Sequence, residues 1–151
     1  MRLFFLLILL PSTLLAQPAE QVPMTPERMI ALLSDVVDDM NIEGSVVEFV
    51  LQEVPMLLVY DLNANRMRLV SPIVEVANLQ EGQLTAAMEA NFHSALDARY
   101  AISNGIVWSA FVHPLADLSE QLFMSAVLQV ATARATFGSE YSSGAMTFGD
   151  Q

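Results

Sequence analysis

The chain has 151 residues, with seventeen acids against six basic residues, no cysteine and no lysine, so every basic residue is an arginine. That composition excludes a disulfide framework, a thiolate metal site and a cysteine nucleophile. A formal charge of −11 repels phosphate backbones and anionic headgroups, so neither nucleic acid nor a lipid surface is an expected partner.

Residues 1–16 run from Met1 and Arg2 through an apolar stretch, Leu3 to Leu10, to a less apolar exit, Pro11 to Ala16. This is the order of a cleavable signal peptide. The apolar stretch is shorter than the ~20 residues a membrane-crossing helix needs, so a stable anchor is not expected. Cleavage after Ala16 would leave five arginines against seventeen acids, a formal charge of −12, on a periplasmic or secreted domain of ordinary single-domain size. Residues 17–24, with two prolines and no period, read as a flexible leader to a domain over 25–138.

Thr25-Pro26-Glu27 is a helix start, with a cap, a first-turn proline and an acid at the positive end of the dipole. Met29, Ile30, Leu33, Val36, Val37 and Met40 continue it as one apolar face, predicting a helix over 26–40. Ser45 to Gln52 is rich in β-branched and aromatic residues, as a strand should be. Glu53-Val54-Pro55 reads as a turn, Met56 to Tyr60 as a second strand, Asn63-Ala64-Asn65 as another turn and Arg66 to Val70 as a third strand. Leu84, Ala87, Met88, Phe92, Ala95 and Leu96 fall on one face of a second helix over 83–97. Arg99 to Ser103 and Ile106 to His113 flank Asn104-Gly105, a strong hairpin signal. Pro114 ends that hairpin, and Asp117 caps a third helix that runs to about Phe137 and stops at Gly138. Residues 139–151 are Gly- and Ser-rich and read as a loose tail that Tyr141, Met146 and Phe148 pin to the body.

The expected architecture is α+β: an antiparallel five-stranded sheet with three helices in the order α-β-β-β-α-β-β-α. The stretches Asn65-Arg66-Met67-Arg68-Leu69-Val70-Ser71-Pro72-Ile73, Ala90-Asn91-Phe92, Tyr100-Ala101-Ile102-Ser103-Asn104-Gly105 with Trp108, and Pro114-Leu115 cover that framework. In them the chain resembles the type III secretion chaperone-like superfamily, which includes the YbjN family. The resemblance implies a small acidic homodimer that holds an unfolded segment of another protein without nucleotide. Such chaperones work in the cytoplasm, whereas this chain begins with an export signal.

Residues that could carry chemistry are few. His93, with Glu89 four positions before and Asp97 four after, would share one helix face, either as a row able to hold a divalent metal or as a solvated face. His113 reads as a strand-end residue bonded to a neighbouring loop. Ser142-Ser143-Gly144 offers hydroxyls without the strand-turn-helix setting of an exposed nucleophile. Arg66 and Arg68 share one side of a strand, where they either hold a carboxylate or pair across the sheet with acids such as Glu48; Arg99 fixes the start of the next strand. The reading that follows is a non-catalytic protein- or peptide-binding domain, needing no cofactor or metal. Its candidate partner or dimer surface is Phe92, His93, Arg66, Arg68 and Trp108. The alternative is a periplasmic metal-binding protein or enzyme using His93, Glu89 and Asp97.

Overall fold

The computed structural model describes residues 23–144. The expected signal peptide over 1–16 with its cleavage after Ala16, most of the expected leader, Met146 and Phe148 lie outside the described residues. Those described form α1 (Pro26–Ser34), β1 (Met40–Glu43), β2 (Val46–Leu51), β3 (Val54–Asp61), β4 (Arg66–Glu75), α2 (Gln83–His93), β5 (Arg99–Ser103), β6 (Ile106–Pro114) and α3 (Glu120–Ala135), with a 3-10 turn at Val76–Asn78. The strands make one antiparallel sheet in the order β1-β2-β3-β4-β6-β5, so it has six strands where five were expected.

The extra strand begins at Met40, the last residue of the predicted first helix, and runs through a segment expected to have no regular structure. Thr25 caps α1 by accepting from the Arg28 N–H at 3.3 Å, and hydrogen bonds from its own backbone and from Thr25 hold the Glu27 carboxyl below the usual range. The helix stops at Ser34 because Asp35, Asp38 and Asp39 oppose the negative end of the dipole and no basic residue offsets them in the last turn. Met40 leaves the helical face and pairs with Phe49 as the first residue of β1. At the other end Met24, expected in a flexible leader, is buried in the core.

The β2–β3 turn also lies one residue earlier than expected. Leu51 pairs with Val54, so the loop is Gln52-Glu53 alone, with φ of +48° and +69°. A two-residue hairpin of this type I′ form needs left-handed backbone at both positions, which Asn-Gly supplies readily and Gln-Glu does not. Asn104-Gly105 has the same conformation between β5 and β6, at +50° and +74°. Grafting that pair as Gln52→Asn with Glu53→Gly should stabilise the protein by about 1–2 kcal/mol, read as a higher thermal midpoint. An unchanged or lower midpoint would contradict this assignment of the turn.

One face of the sheet carries the core. Val47, Phe49, Met56, Leu58, Met67 and Leu69 point into it, and α3 covers them with Phe123, Val127 and Val130 while α1 adds Met29 and Leu33. Ser119, not Asp117, caps α3, accepting from the Leu122 N–H at 3.1 Å; Asp117 belongs to the preceding turn, closed by Leu118 N–H to the Leu115 carbonyl. Arg28 of α1 and Glu120 of α3 form an ion pair whose half-exposed side chains make it worth under about 1 kcal/mol. Within β4, a register shift between Pro72 and Val74 interrupts its pairing with β6, and Arg134 of α3 donates to the Pro72 carbonyl there.

The second helix is shorter than predicted and is turned about its axis, so that Ala87 of the predicted apolar face stays buried while the large residues of that face do not. It ends at His93 because Gln129 of α3 captures the next turn: its Oε1 accepts from Asp97 N–H at 2.9 Å and Ala98 N–H at 3.1 Å. The residues α2 buries are Ala87 and Ala90, small enough to fit against Tyr100 of β5. Its large apolar residues point outward. Asn91 brackets Tyr100, donating to its carbonyl at 3.0 Å and accepting from its N–H at 2.7 Å, so this part of the β5 edge is already paired. Burial pushes the Tyr100 phenol above its ordinary pKa, and its hydroxyl donates to the Ala133 carbonyl at 2.9 Å.

The start of the tail is not loose. The Tyr141 ring packs edge-on to Tyr100 and Phe137, with ring centroids 6.0 and 5.2 Å away. Ser143 is buried and accepts from the Leu96 N–H at 2.5 Å, while Ser142 exchanges backbone bonds with the Thr136 hydroxyl.

Candidate protein-binding surface

Strand alternation sends every second side chain to the sheet face opposite the core. Among the described residues no helix lies on that face. Along β3, β4 and β6 the register aligns Val59, Arg68 and Val112 in one row, and Leu57, Val70 and Ala110 in the next. Val59 and Val112 are 36% and 53% exposed, which makes this an uncovered apolar surface rather than a core awaiting a few water contacts. Trp108 stands beside Pro72 on β4 and Ala101 on β5, its indole N–H donating to the Ser103 carbonyl at 3.2 Å. Arg68, Trp108 and the valines line a depression of about 470 Å³ at the β5 side.

At the β1 side of the same face is a larger groove, of about 840 Å³. Val50, Pro55 and Leu57 form its apolar floor, and Asp38, Asp39, Glu48 and Glu53 stand around it. The sequence reading missed it. Its residues come from four separate segments, and only the register of β1 to β4 assembles them.

A second apolar surface lies on α2. Leu84, Met88 and Phe92 recur every four residues and are 38%, 46% and 78% exposed, whereas Ala87 and Ala95 of the same predicted face are buried. Periodicity identified the stripe but not its direction, because small residues rather than large ones meet Tyr100. Phe92 and His93 are exposed neighbours with ring centroids 4.9 Å apart.

The candidate residues therefore fall on two surfaces. Arg68 and Trp108 belong to the open sheet face, with Arg66 at its rim opposite Asp61 and Pro114, and Phe92 and His93 belong to α2. Arg66 donates to the Asn65 carbonyl, and Arg68 faces valines on both neighbouring strands. Glu48 does not pair with either. It lies opposite Leu57 and Asn41, two strands from Arg68, and accepts from Asn41 Nδ2 at 3.4 Å. Arg99 does hold the start of β5, donating to the Ala95 carbonyl at 2.9 Å.

The structure does not assemble the proposed metal row. With α2 ending at His93, Asp97 leaves the face shared by Glu89 and His93 and is bound through its backbone to Gln129. No group of three or more metal-ligating acids or histidines occurs among the described residues. His113 bonds through Nδ1 to the carbonyl of its neighbour Pro114 at 2.8 Å, rather than to a separate loop, and stacks on Phe111. The loop contact expected of it is made by Asn65, which accepts Ala116 N–H on its side chain and Leu115 N–H on its carbonyl.

No protein-family model and no curated protein matches the chain. Solved structures do match it. A chain of the HopA1–SchA chaperone–effector complex is similar at a TM-score of 0.55 and 10% identity, over 70% of this chain and 84% of that one. A chain of the ExsC–ExsE complex is similar at 0.56 and 15% identity, over 75% and 92%. The element order, the helix-backed antiparallel sheet and these likenesses together establish a type III secretion chaperone-like fold.

Proposed function

We propose that the protein is an exported, non-catalytic, chaperone-like domain of the YbjN kind, which works as a homodimer and binds an extended segment of another protein. The observation that carries this reading is the open sheet face, where Val59, Val70, Ala110, Val112 and Trp108 form an apolar surface around Arg68. Contiguous exposed apolar surface on a soluble domain marks an interaction site. The fold supports a protein partner, since chains of similar fold occur in the HopA1–SchA chaperone–effector complex and in the ExsC–ExsE complex.

A binding role also fits where the polar groups go. The hydroxyls of Ser142 and Ser143 and the ring of His113 are engaged by backbone atoms, in bonds that hold the fold together. The signal-like residues 1–16 support export to the periplasm or beyond.

The reading predicts that the protein binds a permanently unfolded protein, such as reduced and alkylated ribonuclease A, without nucleotide and with Kd of about 1–10 μM. Fluorescence anisotropy of the labelled unfolded protein measures it. No binding at about 100 μM of folded protein would overturn the reading.

A further inference from the structure

The two depressions on the open sheet face differ in charge. Arg68 lines the one at the β5 side. The larger groove at the β1 side has four carboxylates, Asp38, Asp39, Glu48 and Glu53, and no arginine lines it. All four side chains are exposed, and only Glu48 has a described side-chain partner, a neutral amide. The floor between them is apolar, with Val50 56% exposed.

Building on the peptide-binding reading above, we propose that this groove takes an extended, lysine- or arginine-bearing segment of a partner protein, with apolar residues between the charges. Both halves of that chemistry follow from the groove: the floor takes apolar side chains and the rim takes cations. Its lining crosses from Asp39 and Asn41 through Glu48 and Val50 to Leu57 and on to Pro72 of β4. Three interstrand spacings make that about 14 Å, the length of roughly four extended residues. Opposite charges across such a surface steer encounter and select among partners, and they weaken as salt screens them. The chain's own composition sharpens the selection. A −12 exported domain repels acidic segments everywhere, and in this groove it offers a cation four carboxylates without a competing arginine.

The test uses a fluorescein-labelled peptide of about ten residues, long enough to span the groove, with Lys, Leu and Val interspersed, and a copy with every Lys replaced by Glu. The lysine peptide should bind the purified protein at least about tenfold more tightly than the copy, and a rise in salt should weaken it. Neutralising the rim with Asp39→Asn, Glu48→Gln and Glu53→Gln should remove most of that preference. These near-isosteric exposed changes leave the unfolding midpoint unchanged, which a thermal melt verifies. Equal affinity for both peptides, or a lysine preference unaffected by the neutralised rim, would overturn the assignment. The unfolded ribonuclease separates this proposal from the one beneath it. Ribonuclease bound without any lysine preference sinks the cationic groove alone, whereas no binding of either ligand removes both.

Discussion

Replacing Gln129 with Leu should lower stability by about 3 kcal/mol, although the side chain touches no surface that a partner could reach. Gln129 is buried on α3, and its one amide oxygen holds two backbone donors, Asp97 N–H and Ala98 N–H, while its amide nitrogen donates to Ser125 Oγ at 3.1 Å. Leucine fits the space and gains apolar burial, but it leaves both N–H groups without an acceptor. Ala98 is fully buried, so water cannot replace the lost partner there. An orphaned buried donor costs about 1–3 kcal/mol, and the half-exposed second one adds to that. Since a domain of this size is stable by only ~5–15 kcal/mol, the loss is a large share. Urea unfolding should show it as a lower midpoint at an unchanged slope, because the area exposed on unfolding is the same. Ser125→Ala, which removes only the outer bond, should fall well below the loss seen in Gln129→Leu. A loss under about 1 kcal/mol for Gln129→Leu would mean that the turn after α2 is held by something else.

Placing aspartates on the open sheet face, as Val59→Asp with Val112→Asp, should abolish binding of the unfolded protein while leaving the domain folded. The two valines flank Arg68 in one cross-strand row, so both new carboxylates would stand beside its guanidinium. The pairing offsets the poor strand propensity of aspartate, and the stability change should stay within about 1 kcal/mol. Binding depends instead on apolar area. Two exposed valines are removed from the middle of the surface and two desolvation penalties added, enough for a loss of affinity of at least about a hundredfold. The matched control is Leu84→Asp with Met88→Asp on α2, the other exposed apolar stripe. If the α2 pair abolishes binding and the sheet pair does not, the binding surface is α2.

Much of the framework was legible because local chemistry and tertiary structure agree. Thr25-Pro26-Glu27 starts a helix, Asn104-Gly105 closes a hairpin and Gly138 follows the end of α3, each for a reason contained within a few residues. The failures share a different cause. Met40 fits the α1 period, yet it becomes strand because the acids before it weaken the helix end and Phe49 offers it a partner. The direction of α2 was unreadable because Tyr100, a bulky residue of the next strand, selects alanines for the contact and turns Leu84, Met88 and Phe92 outward. Its early end was equally hidden, since the amide that stops it is supplied by α3.

The candidate surface was legible residue by residue and not as a whole. Arg68 and Trp108 were identified as unusual side chains, but their common face follows from β4 pairing with β6 rather than with β5. The acidic groove gave no sequence signal at all. In so acidic a chain four more carboxylates do not stand out, and only the short β1 strand brings Asp38 and Asp39 beside Glu48 and Glu53.

The most direct test of the sheet face uses the tryptophan already on it. Trp108 is the single tryptophan of the chain, half-buried beside the apolar rows, so its fluorescence reports on that face alone. Titrating the protein with unfolded, tryptophan-free ribonuclease should shift Trp108 emission to the blue and protect it from acrylamide, both saturating with the Kd found by anisotropy. Saturable binding with Trp108 emission and quenching unchanged would place the partner elsewhere and contradict the sheet face as the binding surface.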